Sequence, residues 1–136
     1  MKIVLIGAGE VGFHVAKALI EDGHDITAVD INPEKCRRIT ENLDAIDVEG
    51  NGASPKILHK ARVEEADYVL CLTRIDEVNL IAAQQAHELG AKHIIARLRN
   101  QQYSDRDSII KPEKFGVDLV IHPELEACLE ISRLVR

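Results

Sequence analysis

The chain opens on KIVLI followed by GAGEVG, an apolar run ended by three glycines at Gly7, Gly9 and Gly12. A G-x-G-x-x-G turn between a strand and a helix leaves few folds open. The first glycine permits the tight turn, the second lets the backbone approach a diphosphate, and the third lets the helix lie close to its strand. The helix then presents free N–H groups, those of Glu10 and Val11 among them, at the end where its dipole favours an anion.

The rest of the chain repeats this alternation. Apolar runs at 2–6, 25–30, 45–50, 67–72, 92–97 and 117–122 read as six strands. Between them, apolar residues at helical spacing predict helices over 11–23, 32–43, 54–62 and 76–90. Asn32-Pro33 and Ser54-Pro55 are cap-plus-proline helix starts, and Gly23 and Gly90 are helix stops. The stretch 98–116 is polar and broken by Pro112 and Gly116, and it predicts one short helix and a turn. Strands alternating with helices predict an α/β fold: a single domain with a doubly wound, parallel, six-stranded sheet of order 3-2-1-4-5-6.

The last segment begins at Pro123 and predicts a closing helix at about 124–136. Leu125, Cys128, Leu129, Ser132 and Val135 form one stripe, and Ile131 and Leu134 widen the apolar surface. Such a helix either covers its own sheet edge or also reaches another subunit.

Composition narrows the function. A net charge of −6 gives no general attraction to a nucleic-acid backbone, so no nucleic-acid partner is expected. No apolar run reaches the roughly 18 residues a membrane span needs, so no direct membrane insertion is expected. The opening apolar stretch is too short for a signal peptide. Cys36, Cys71 and Cys128 are scattered and odd in number, which suits a reducing cytosol and offers neither a disulfide framework nor a zinc site.

Asp30 ends the second strand, 18 residues after Gly12 (30 − 12). That is close to the spacing of about 20 at which an acid accepts hydrogen bonds from a ribose, and its charge repels a 2′-phosphate, favouring NAD(H) over NADP(H). Glu10, within the turn, either disfavours the extra charge of ATP or points to solvent. Catalytic signals are weak. Of six histidines only His122 stands at a strand's carboxyl end, and no metal-ligand spacing or Ser–His–Asp set is visible. The residues favour a binding module without chemistry; the alternative is the cofactor domain of an NAD-dependent oxidoreductase.

GAGEVG and VDINPEK, with GNGAS (50–54), LTRIDEVNL (72–80), IIARLRN and VIHPE, carry a closer likeness. Together they resemble the N-terminal nucleotide-binding domain of Trk potassium-uptake regulatory subunits, the KTN class of the RCK (regulator of potassium conductance) family. The resemblance covers essentially the whole chain. It implies a domain that is not an enzyme and that binds NAD (NADH or NAD+), or ADP or ATP in some members. It implies a cytoplasmic location, peripheral to the inner face of the membrane, on an integral-membrane potassium transporter subunit. It further implies a homodimer that assembles into a higher ring, whose shape changes with the ligand and gates potassium flux.

By position, the resemblance implies that Gly7, Ala8, Gly9, Glu10 and Val11 hold the pyrophosphate, and that Asp30 holds the adenosine ribose. Asn51 and Gly52 would lie near the adenine, Thr73 and Arg74 along the nicotinamide side, and Asn79 one helical turn behind. Arg97 would reach the phosphates or cross the dimer, and Glu124 would lie near the dimer hinge. Thr73, Arg74 and Arg97 stand at carboxyl ends of strands, where such sheets open a ligand crevice. Asn51 and Arg74 depart from the residues common in the family, which leaves ADP or ATP open beside NAD. Many members continue into a second regulatory domain, so the resemblance implies either a longer chain past Arg136 or a short member.

Overall fold

The structure is a computed structural model and describes residues 1–122 and 130–135. The elements are β1 (Lys2–Ile6), α1 (Glu10–Glu21), β2 (Asp25–Asp30), α2 (Pro33–Asn42), β3 (Ile46–Glu49), α3 (Pro55–Lys60), β4 (Tyr68–Cys71), α4 (Asp76–Glu88), β5 (Ile94–Arg97) and β6 (Leu119–Ile121). A last helical turn, α5 (Ile131–Leu134), follows.

The strands form one parallel sheet in the order β3-β2-β1-β4-β5-β6. Helices on both faces explain why the strands are continuous apolar runs rather than alternating ones. Val4 and Ile6 of β1 face a core with Val29, Val69, Leu58 of α3 and Leu80 and Ala83 of α4. Ile3 and Leu5 face the opposite core, with Val15 and Leu19 of α1 and Ile39 of α2. Seven buried β1 and β4 side chains (Ile3, Val4, Leu5, Ile6, Val69, Leu70, Cys71) make this pair the centre of the molecule.

The capping signals act as expected on α2. Asn32 Oδ1 accepts from the Glu34 N–H at 2.9 Å, and Pro33 takes the first helical position. Ser54 precedes α3 but its hydroxyl makes no cap bond there. The later strands are shorter than the apolar runs that announced them. In β6 the cause is Asp118, whose carboxylate accepts from the Ile94 N–H at 2.7 Å and so takes a place in the ladder before regular pairing begins. In 98–116 the expected short helix is replaced by two 3-10 turns, Gln101–Tyr103 and Pro112–Phe115.

Of the predicted closing helix, residues 123–129 and 136 lie outside the described residues, and with them the stripe positions Leu125, Cys128 and Leu129 and the hinge position Glu124. The described part is one helical turn. Ile131 and Val135 are buried against the α1 side of the core, and the Tyr68 hydroxyl donates to the Leu134 carbonyl at 3.2 Å.

Candidate nucleotide-binding site

The sheet order reverses between β1 and β4: the chain leaves β1 toward β2 on one side, and β4 lies on the other. The loops after these two strands therefore part, and an open α/β sheet binds ligands in that gap. A crevice of about 780 Å³ lies there. Of the twelve candidate binding residues, eleven line it; Asn79 does not. A smaller hollow of about 380 Å³ lies at the opposite end, beside the amino ends of β1 and β2, and contains none of the twelve.

The glycine turn is built by contact. Gly7 has φ +104°, in the left-handed region, and a Cβ there would sit 2.8 Å from the Thr73 nitrogen and 2.9 Å from the Leu72 carbonyl carbon. Only a bare backbone lets the end of β1 touch the end of β4. Gly9 is different. A Cβ on it would meet only the Lys35 Nζ, at 3.7 Å, so its missing side chain leaves space rather than avoiding a clash. Gly9 is also the N-cap of α1 and supplies no side-chain acceptor to the first-turn N–H groups.

Asp30 closes the turn from β2. Its Oδ2 accepts from the Ala8 N–H and its Oδ1 from the Asn32 N–H, each at 2.8 Å. Both oxygens keep lone pairs for a ribose hydroxyl, because a carboxylate accepts about four hydrogen bonds. The N-cap duty falls to Asn32, not to Asp30. Glu10 is directed away from the turn: its carboxylate pairs with His14 Nε2 at 2.7 Å and lies 3.7 Å from Arg38. Asn51 folds the loop after β3 by accepting from the Ala53 N–H at 2.8 Å, and Gly52 is packed against the Ile6 side chain.

The far wall is held by two buried side chains of the first turn of α4. Asn79 has no exposed surface. Its Oδ1 accepts from the Thr73 N–H (2.9 Å) and hydroxyl (2.7 Å), and its Nδ2 donates to the Thr73 carbonyl (3.0 Å) and the Arg97 carbonyl (2.7 Å). All four positions of the amide are used, so Asn79 positions the ends of β4 and β5 and has no reach into the crevice. Asp76 accepts from the Arg99 and Asn100 N–H groups at 2.8 and 2.7 Å, tying down the exit of β5. Arg97 is 9% exposed and directs Nη1 to the Thr73 carbonyl at 3.4 Å, whereas Arg74 is exposed at the rim. Replacing Asn79 by alanine strands a buried N–H and two carbonyls, and is expected to cost about 2 kcal/mol of stability. Urea denaturation measures it, and a loss near zero would show that water replaces the amide.

The titratable groups here do not suggest a nucleophile. Burial pushes the Cys71 thiol up to about 12, which keeps it protonated below the crevice floor. The Glu77 carboxylate accepts from the Tyr103 hydroxyl at 3.0 Å and holds its pKa above the ordinary phenol value. Among the described residues no group of three histidine, cysteine or acidic side chains converges as a metal site. His122 is exposed at the end of β6 and does not line the crevice.

Two charged lining residues escaped the sequence reading: Lys35 and Arg38 of α2. Cys36 and Ile39 face the core, so the residues preceding each fall together on the flank toward the glycine turn. That offset was the available signal. The Arg38 guanidinium lies 3.8 Å from the Phe13 ring centroid.

A doubly wound parallel sheet with a large crevice at the switch point, floored by a glycine turn and an acid from the second strand, defines the Rossmann-like class of nucleotide-binding domains. Within that class the chain belongs to the TrkA-N domain family, whose model matches residues 3–123. It is 41% identical over 135 residues to a Trk system potassium uptake protein TrkA homolog from Archaeoglobus fulgidus. It is 38% identical over 136 residues to the Trk system potassium uptake protein TrkA of Halomonas elongata. Each alignment covers 99% of this chain, which spans 30% of the length of each relative. The TrkA-N domain of the Escherichia coli inner membrane protein ybaL superposes with a TM-score of 0.78 at 19% identity, covering 99% of this chain and 96% of that one. A GsuK channel bound to NAD gives 0.74 at 18%, covering 88% of this chain and 21% of that one. The two structures are likenesses of fold.

Proposed function

We propose that this domain is the nucleotide-sensing part of a regulatory protein of potassium uptake, and that its ligand is NAD(H). One observation carries the reading: eleven of the twelve expected binding residues, drawn from five separate stretches of sequence, line one crevice at the switch point. The glycine turn and the first turn of α1 would receive the pyrophosphate, Asp30 the adenosine ribose, and Thr73 and Arg74 the nicotinamide end. Asn79 and Asp76 would keep that far wall in place.

Several findings support the reading. The relatives are named as potassium uptake proteins, and one neighbour of the same fold is a channel bound to NAD. A second ligand, ADP or ATP, is favoured by Lys35, Arg74 and Arg97 along the crevice, and another neighbour is GsuK bound to ADP. The role proposed is regulatory rather than catalytic. The domain would span 1–136, dimerise, assemble into a ring and act from the cytoplasmic side on an integral-membrane potassium transporter subunit. No helix among the described residues is long and apolar enough to cross a membrane.

Calorimetric titration with NADH, NAD, ADP, ATP and NADPH tests the proposal. Binding of NADH or NAD with NADPH rejected is the expected result; tighter ADP or ATP transfers the reading to a nucleotide-energy sensor, and binding of none removes it. Regulation requires that two geometries of the assembly contact a ligand differently. NADH and NAD differ in charge only at the nicotinamide, so the discriminating contact belongs at Arg74. Arg74→Ala is expected to shrink the NAD/NADH affinity ratio by about fivefold, roughly 1 kcal/mol of differential interaction. Equal losses for both ligands would count against that role.

A further inference from the structure

We infer that Lys35 is a phosphate-binding cation of this crevice, closing from α2 over the glycine turn and selecting ligands that carry a diphosphate. The inference rests on the nucleotide-binding reading and adds to it a residue.

Lys35 stands in the first turn of α2, is half-buried and lines the crevice. Its Nζ lies 3.7 Å from the position a Cβ would take on Gly9, with no other heavy atom within 4 Å there beyond Gly9's chain neighbours. The ammonium therefore hangs over the barest point of the turn. Across that point the first-turn N–H groups of α1 have no side-chain cap. A full positive charge on α2 and the positive end of the α1 dipole thus converge on one small volume, and an anion placed between them is attracted by both.

No ion pair or hydrogen bond engages Lys35 among the described residues. Neither carboxylate at this end of the crevice pairs with Lys35. Asp30 holds the Ala8 and Asn32 N–H groups, and Glu10 holds His14 and Arg38. Arg38, the other cation of this helix, is parked on the Phe13 ring and beside Glu10, so of the two it is Lys35 that is available to a ligand. A half-buried ammonium next to uncapped helix N–H groups suits a diphosphate, whose charge is spread over both phosphates. ADP, ADP-ribose and NAD share that group.

The test is calorimetry of the whole chain with ADP and ADP-ribose, comparing wild type, Lys35→Met and Lys35→Arg at low and high salt. Lys35→Met is expected to weaken both ligands about tenfold at low salt, with the deficit shrinking as salt screens the charge, and Lys35→Arg is expected to restore most of the affinity. If the wild type binds neither ligand, the nucleotide reading itself fails. If the wild type binds and Lys35→Met binds equally well, the inference alone is overturned. A deficit that is the same at both salt concentrations and is not restored by arginine also overturns it, because it would mark a packing role.

Discussion

Gly12→Ala is expected to destabilise the fold by about 3 kcal/mol or more, at the upper end of what overpacking a tight contact costs. Gly12 lies in the first turn of α1, facing back onto the end of β1. A Cβ there would fall inside contact distance of the Gly7 carbonyl oxygen, 2.9 Å from the Gly7 carbonyl carbon and 3.2 Å from Leu5 Cδ2. Two of the three neighbours are backbone, so no rotamer change relieves the contact. Backing the helix away would break the Phe13 N–H bond to the Gly9 carbonyl (2.8 Å). Moving Gly7 instead would disturb its N–H bond to the Val29 carbonyl (2.7 Å) and its close passage beside Thr73. Denaturation midpoints measure the stability. If the variant folds, its α1 N-terminus is displaced from the turn, and nucleotide binding should fall with it. Gly9→Ala is the internal control: its Cβ would meet only the flexible end of Lys35, so folding should change little while the space above the turn is reduced. Equal stability losses at both positions would refute the contact argument.

The contrast between these glycines shows what a sequence conveys and what it hides. The alternation of strands and helices, and with it the doubly wound order, was legible because helix starts and stops act locally, as Asn32 and Pro33 do for α2. The sheet's centre was legible because β1 and β4 are apolar on both faces. The 98–116 stretch was not, since the hydrogen bonds that anchor its start come from distant residues: Asp76 to Arg99 and Asn100, and Glu77 to Tyr103. The family resemblance brought Asn79 near the site but not to its surface. One helical turn separates a lining residue from one wholly buried behind it, and only the distances show the amide saturated by Thr73 and Arg97. Lys35 and Arg38 were missed for the opposite reason. A basic residue on an amphipathic helix reads as a solvated flank until the neighbouring turn is seen beneath it.

Asp30→Ala is expected to weaken NADH binding about 100-fold, the loss of two hydroxyl hydrogen bonds to a charged acceptor. The structure makes this substitution do two things, and they must be separated. The carboxylate would bind the ribose, but it also holds the Ala8 N–H at 2.8 Å, so its removal loosens the glycine turn that would hold the phosphates. The structural share should cost about 1–2 kcal/mol of stability, because the Ala8 N–H is part-buried and loses its acceptor. NADPH separates the shares. A loosened turn weakens NADH and NADPH alike, since both carry the same pyrophosphate. A lost ribose acid weakens NADH and relieves the repulsion of the 2′-phosphate, so the NADH/NADPH affinity ratio should collapse toward one. Asp30→Asn refines the comparison: one oxygen still accepts, but the amide donor then confronts either the Ala8 or the Asn32 N–H. Its NADH affinity should fall nearly as far, while its charge-dependent rejection of NADPH disappears. If affinity drops in both variants but the ratio stays at its wild-type value, Asp30 acts through Ala8 alone, and the ribose contact must be assigned to another residue of the crevice.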